Sequence, residues 1–227
     1  MKTRLSFSLP PGPLRVGMIE AGNTRIGPSP REYLALIEKE VKHVLDKEFI
    51  YPDHLRKGIR SLLKVYGFHP SGRNRPASEF LAKDLQMRGQ FNPINNAVDI
   101  NNHLSLLSHL PISILDGDKT GSHLCIRVGM EDEKYVFNRE GQDLALKGLL
   151  VIASGGHDNT PFGSPVKDSQ ATKIFETTKS LIGVVYTSQN ITPRDDLSTI
   201  MKRFAELLKT FTAGIEITWD ILDAPNQ

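Results

Sequence analysis

Apolar and polar positions alternate from the start of the chain. Leu5, Phe7 and Leu9 share one side of a two-residue period, and Leu14, Val16 and Met18 repeat it after Pro10-Pro11-Gly12-Pro13. Two short strands are expected there. The period then lengthens, because Ser29-Pro30-Arg31-Glu32 places a capping hydroxyl, a proline at the first helical position and an acid three residues after the cap, predicting a helix to about Lys47. A second helix, from about Pro52 to Tyr66, carries Leu55, Ile59, Leu62 and Tyr66 on one stripe and Arg56, Arg60 and Lys64 on another. Gly67 ends it. After the turn-rich run His69 to Pro76, a short helix is expected from about Ser78 to Arg88, stopped by Gly89.

Asn92-Pro93-Ile94-Asn95-Asn96-Ala97-Val98-Asp99-Ile100-Asn101-Asn102 then opens a further helix, with Ile100, Leu104 and Leu107 directed inward. From Ile112 the period returns to two: Leu124, Ile126 and Val128, then Tyr135 and Phe137, alternate with polar residues, and strands recur at about 149–153 and 181–187. Thr192-Pro193-Arg194-Asp195 repeats the capping pattern and opens a helix bearing Ile200, Phe204, Leu207, Leu208 and Phe211. A last strand follows Gly214. Helices gather in the first half and strands in the second, so the class is α+β rather than a doubly wound parallel sheet.

Composition adds limits more than identity. With 227 residues, 39% hydrophobic and 24% charged, the chain is ordinary globular material. No run approaches the roughly 20 apolar residues of a membrane span, and Met1-Lys2-Thr3-Arg4 leads into an alternating stretch, not an apolar signal region. No membrane association is expected. The single Cys125, set between Leu124 and Ile126, fits a reducing, cytoplasmic setting. A net charge of +2 is too small to make the whole chain a binder of polyanions, and neither DNA binding nor a cofactor is expected. Cations do concentrate between Arg56 and Arg88, making Arg56, Arg60 and Lys64 candidates for RNA phosphate contact, against the plainer reading of a solvated helix face. Neither His-x-x-x-His nor paired Cys nor an acidic calcium loop is present, so no metal is expected.

The candidate chemistry lies where hydrogen-bonding groups exceed what a core requires. Arg73 and Arg75 in one loop can clamp a carboxylate or phosphate; Asn96, Asp99 and Asn102 can hold an amino group or ribose hydroxyls, or simply cap the helix start. Ser113, Asp168 and Ser169 are the hydroxyl and carboxylate candidates of the strand half, with Ser113 and Asp168 assigned to catalysis. His157-Asp158 is the nearest alternative base.

Asn96-x-Val98-Asp99-x-x-Asn102, followed by Pro111, Asp116, Asp118-Lys119 and Arg127, resembles the B3/B4 domain of the phenylalanyl-tRNA synthetase beta subunit. The resemblance is specific over 92–127 and looser to about Tyr186. It implies a β-sandwich of unusual topology with flanking helices, a mostly helical half at 51–120, a mostly β half at 121–190, and additions at 1–50 and 191–227 on one unit spanning 1–227. It also implies a pocket at the junction of the halves that takes an amino acid esterified to a tRNA end and hydrolyses a mischarged one. The synthetase core is absent, so this looks like a stand-alone B3/B4 protein acting on tRNA in trans. Three family positions differ: the family His falls on Ser113, its Arg on Asn92 and its Tyr on His103. Those differences keep a second reading open, a non-catalytic pocket for a free amino acid or related metabolite.

Overall fold

Alternation in β2 (Leu14–Gly22) decides the layering, because its two faces enter two different cores. A computed structural model describes residues 3–72 and 74–225. Leu14, Val16 and Met18 face a second sheet and meet Leu124, Ile126 and Tyr186, whereas Ile19 and Ala21 face helices and meet Tyr33, Ile100, Met201 and Phe204. Three layers result: helices, sheet, sheet.

In chain order the elements are β1 (Arg4–Ser8), β2, α1 (Arg31–Glu40), α2 (Asp53–Val65), α3 (Ala77–Arg88), α4 (Asn96–Ser108), β3 (Ile112–Asp116), α5 (Gly117–Thr120), β4 (His123–Val128), β5 (Lys134–Val136), β6 (Asp143–Ala145), β7 (Leu150–Ser154), β8 (Pro161–Gly163), β9 (Leu181–Ser188), α6 (Arg194–Thr212) and β10 (Glu216–Asp223). The central sheet runs β10-β2-β9-β3 and is antiparallel throughout. The outer sheet runs β1-β4-β7-β8, with β1 parallel to β4, and β5-β6 form a small separate ribbon. This is the expected α+β class, a sandwich with helices on one side.

The long helix α6 lies close against the central sheet because two glycines make room. A Cβ on Gly17 would come 2.4 Å from Met201 Sδ, and one on Gly183 2.7 Å from Phe204 Cζ. Gly183→Ala is therefore expected to destabilise the fold by about 1–3 kcal/mol through overpacking, read as a lower urea midpoint at unchanged m-value. An unchanged midpoint would mean α6 sits loosely.

Two expected caps do other work. The Ser29 hydroxyl donates to Asp99 Oδ2 at 2.6 Å, and Thr192 Oγ1 lies 2.7 Å from Thr187 Oγ1, so both hydroxyls tie tertiary neighbours together. The cap positions fall to Pro30 and Pro193, neither with a side-chain bond; the Pro30 carbonyl accepts the first helical N–H groups. The first helix also stops at Glu40, short of Lys47, and tightens into a 3₁₀ turn at Lys42–Leu45. Three residues per turn bring Val41 and Val44 onto the same side, and both are fully buried.

Candidate functional site

The Asn-rich run divides by helical phase. Asn95 caps α4, its side chain accepting from Val98 N at 3.0 Å. Asp99, fully buried, accepts from Ile94 N at 2.8 Å and from Ser29 Oγ, while Asn96 donates to the Arg25 and Phe211 carbonyls at 2.9 and 2.7 Å. Burial pushes the Asp99 carboxyl up, against the hydrogen bonds that favour its charge. These two side chains, expected to hold substrate, lock the helix start to its neighbours and do not line the neighbouring cavity. Val98, Asn101 and Asn102 lie three and four residues apart on the other face and line a cavity.

That cavity, of about 280 Å³, opens between α3, α4, β3 and the segment after β8. Ala77, Phe80 and Leu81 come from α3, Ile112 and Ile114 from β3, and Phe137, Val166 and Ile174 complete an apolar lining. Polar groups converge on it: Arg75, Asn101, Asn102, Ser164, Lys167, Asp168 and Lys173. Asn101 Nδ2 donates to Asn102 Oδ1 at 3.2 Å, leaving buried Asn101 Oδ1 without a partner among the described residues. Asn101 and the two lysines were not singled out from sequence, although the phase of α4 already pairs Asn101 with Val98.

Asp168 is the best-held of these groups. Its Oδ2 accepts from Ile114 N at 3.2 Å and its Oδ1 from Ser164 N at 3.3 Å. Since β3 is the outermost strand of its sheet and Ile114 N points away from β9, the carboxylate lies along the strand's unpaired side. Burial pushes its pKa up to about 6, opposed by the charge of Lys173 and by hydrogen bonds from Ser113, Ile114 and Ser164.

Ser113 is not a surface of the cavity. Fully buried between the sheets, its Oγ lies 3.2 Å from the Ser164 carbonyl, to which it donates, and 3.1 Å from Tyr186 Oη. Alternation along β3 explains this: Ile112 and Ile114 line the cavity, so Ser113 must face the other way. It can position Asp168 but does not itself line the cavity, to which the catalytic expectation had assigned it. Ser169 is likewise buried, its Oγ accepting from Ala171 N at 3.2 Å to cap a 3₁₀ turn. Arg75 is half-buried, its Nε donating to the Gly72 carbonyl at 2.8 Å, and Arg73 lies outside the described residues. His157 and Asp158 are exposed on the loop before β8, with Asp158 accepting from Thr160 Oγ1. His103 is buried in the helical layer, 3.2 Å from Tyr33 Oη and 3.0 Å from a Glu40 oxygen, and burial lowers its pKa to about 4.

The basic stripe of α2 is largely neutralised. Arg56 and Lys57 pair with Asp53 at 2.6 and 2.5 Å, and Arg60 makes a two-bond pair with Glu79 at 2.7 and 2.5 Å. Of the three RNA candidates only Lys64 is without an acidic partner among the described residues. Sequence reading missed Asp53, one turn before the stripe. Among the described residues no group of three or more His, Cys, Asp or Glu is arranged to hold a metal, and no helix is long and apolar enough to cross a membrane.

Residues 68–211 match the family model of the B3/4 domain, covering the cavity and β3 to β9 but not β1, β2 or β10. The chain belongs to the B3/4 domain family. The match reaches beyond the motif region at 92–127 and takes in all but the last residue of α6. The crystal structure of an N-terminal fragment of the phenylalanyl-tRNA synthetase beta subunit from Pyrococcus horikoshii is similar over 99% of this B3/4 chain, at 10% identity and a TM-score of 0.45. This chain spans 55% of that fragment. A comparison with curated proteins found no match.

Proposed function

We propose that this B3/4 domain binds the aminoacylated end of a tRNA, with the amino acid in the Asp168 cavity, and releases a mischarged amino acid by ester hydrolysis in trans. One observation carries the reading: Arg75, Asn102 and Asp168 face a single apolar cavity. An apolar amino-acid side chain fits against Phe80, Ile112 and Val166; its ammonium group suits Asn101 Oδ1; the Asn102 amide offers donors to the ester carbonyl; and Arg75, Lys167 and Lys173 suit phosphates. In the hydrolysis, Asp168 takes a proton from water as the water oxygen bonds to the ester carbon. The ribose oxygen leaves with that proton, giving free amino acid and a free ribose hydroxyl.

Asp168 acts as a base only when ionised. With a pKa of about 6, deacylation should rise with pH through that value and stay flat above it. Incubation with a panel of mischarged tRNAs, followed by amino-acid release between pH 5 and 8, tests this. No release across the panel removes the enzymatic reading. With Arg56 and Arg60 paired, Arg75, Lys173 and Lys64 are roughly three cations suited to phosphate, and log affinity against log salt should slope by about −2.

The second reading is supported by the burial of Ser113 and by the hydrogen bonds that already occupy Asp168. On it, the cavity holds a free amino acid or related metabolite without cutting anything. Thermal stabilisation by free amino acid, with no salt-dependent tRNA binding, decides for it.

A further inference from the structure

Beyond the Asp168 cavity lies a second one, of about 240 Å³, reached across a shared wall made by Phe80, Leu81 and Asn102. Its chemistry is different. Phe80 stands 50% exposed on α3, Phe91 is half-buried at the far side, and exposed Gln90 and Asn92 bring amides, with Arg88 at the rim. The amino-acid reading uses Phe80 from the side of the first cavity, and none of Arg88, Gln90, Phe91 and Asn92. An aromatic ring beside amides and one guanidinium matches what a nucleoside offers: a flat base to stack, edges that donate and accept, and a neighbouring phosphate. Arg88 Nε is held by Asp84 at 2.7 Å, which fixes the guanidinium at the rim.

Resting on the aminoacyl-tRNA reading above, we infer that this second cavity takes the terminal nucleoside, its base stacked on Phe80 and read by Asn92 and Gln90. Asn102 then lies between the two halves, where the ribose that joins base to amino acid would pass. The exposed Phe80 supplies the stacking surface that the sequence pattern of the basic segment did not reveal.

A stable probe separates the two halves. 3′-Leucylamino-3′-deoxyadenosine carries both parts through an amide that resists hydrolysis, and leucinamide carries the amino-acid part alone. Calorimetric titration of each into the full chain is expected to give at least about tenfold tighter binding for the nucleoside-bearing probe, the scale of one base stacked on one aromatic ring. Asn92→Ala and Gln90→Ala should weaken that probe several-fold and leave leucinamide binding unchanged; both residues are exposed and line only the second cavity, so the fold and the amino-acid half are retained. Equal affinity for the two probes overturns the nucleoside subsite and leaves the amino-acid cavity standing. Equal weakening of both probes by Asn92→Ala also overturns it, by placing Asn92 in the amino-acid half. Binding of neither probe removes this inference together with the function it rests on.

Discussion

Arg127→Ala is expected to lower the unfolding free energy by about 3–5 kcal/mol, the scale for a buried charge stripped of its partner. Arg127 is 6% exposed and makes a two-bond pair with Glu133, while its Nε and Nη2 donate to Asn159 Oδ1 and O, each at 2.8 Å. One guanidinium thus fastens the turn after β4 to the loop before β8. Removing it strands the Glu133 carboxylate. Burial alone would raise the Glu133 pKa, but the hydrogen bonds from Arg127 and Met130 N and the charge of Arg127 outweigh it and hold it below the ordinary glutamate value. A depressed carboxylate contributes stability above its unfolded pKa and loses it as pH falls through the folded one. The gap between wild type and Arg127→Ala should therefore narrow below about pH 4. Urea unfolding at pH 7 and pH 3.5 measures both; a loss under about 1 kcal/mol at pH 7 would mark the pair as no stronger than a surface one.

Asp168→Asn has the larger consequence for function. If Asp168 is the base, deacylation should fall by about 10²–10⁴-fold, and the rise in rate through pH 6 should vanish. Stability moves much less, because two effects oppose. The Asp168 pKa is raised, so its charge weighs against the native state increasingly as pH climbs from 3.8 towards 6, and asparagine lifts that penalty. The amide, however, presents an N–H₂ to one of the two backbone donors now held by carboxylate oxygens, losing a hydrogen bond worth about 1 kcal/mol. Mischarged-tRNA release against pH, run beside thermal melts, separates the outcomes. Full activity in Asp168→Asn would remove Asp168 from the chemistry.

What could be read from sequence follows physical scale. Helices α2, α3, α4 and α6 and the β2, β4, β7 and β9 strands follow from periodicity, because one face of each is pressed against a core over several residues. The caps at Ser29 and Thr192 were misread because a hydroxyl beside a proline is equally suited to a distant partner, and distance along the chain hides Asp99 and Thr187. The site divides the same way. Asp168, Asn102 and Arg75 reach one cavity, whereas alternation along β3 turns Ser113 inward, away from it. Asn96 and Asp99 carry the family pattern because they build the start of α4, so a motif can mark a fold without touching a ligand.

The placement of Asp168 along β3 has a consequence for the chain in company. A sheet edge with unpaired N–H and C=O groups is a template on which a second chain can add a strand. The Asp168 carboxylate occupies the Ile114 N–H on that edge and sets a buried charge where an incoming backbone would have to lie. On the proposed function, the same carboxylate would serve both the substrate and the satisfaction of that edge N–H. Shortening this side chain would leave the Ile114 N–H without its partner on a strand whose residues are otherwise buried.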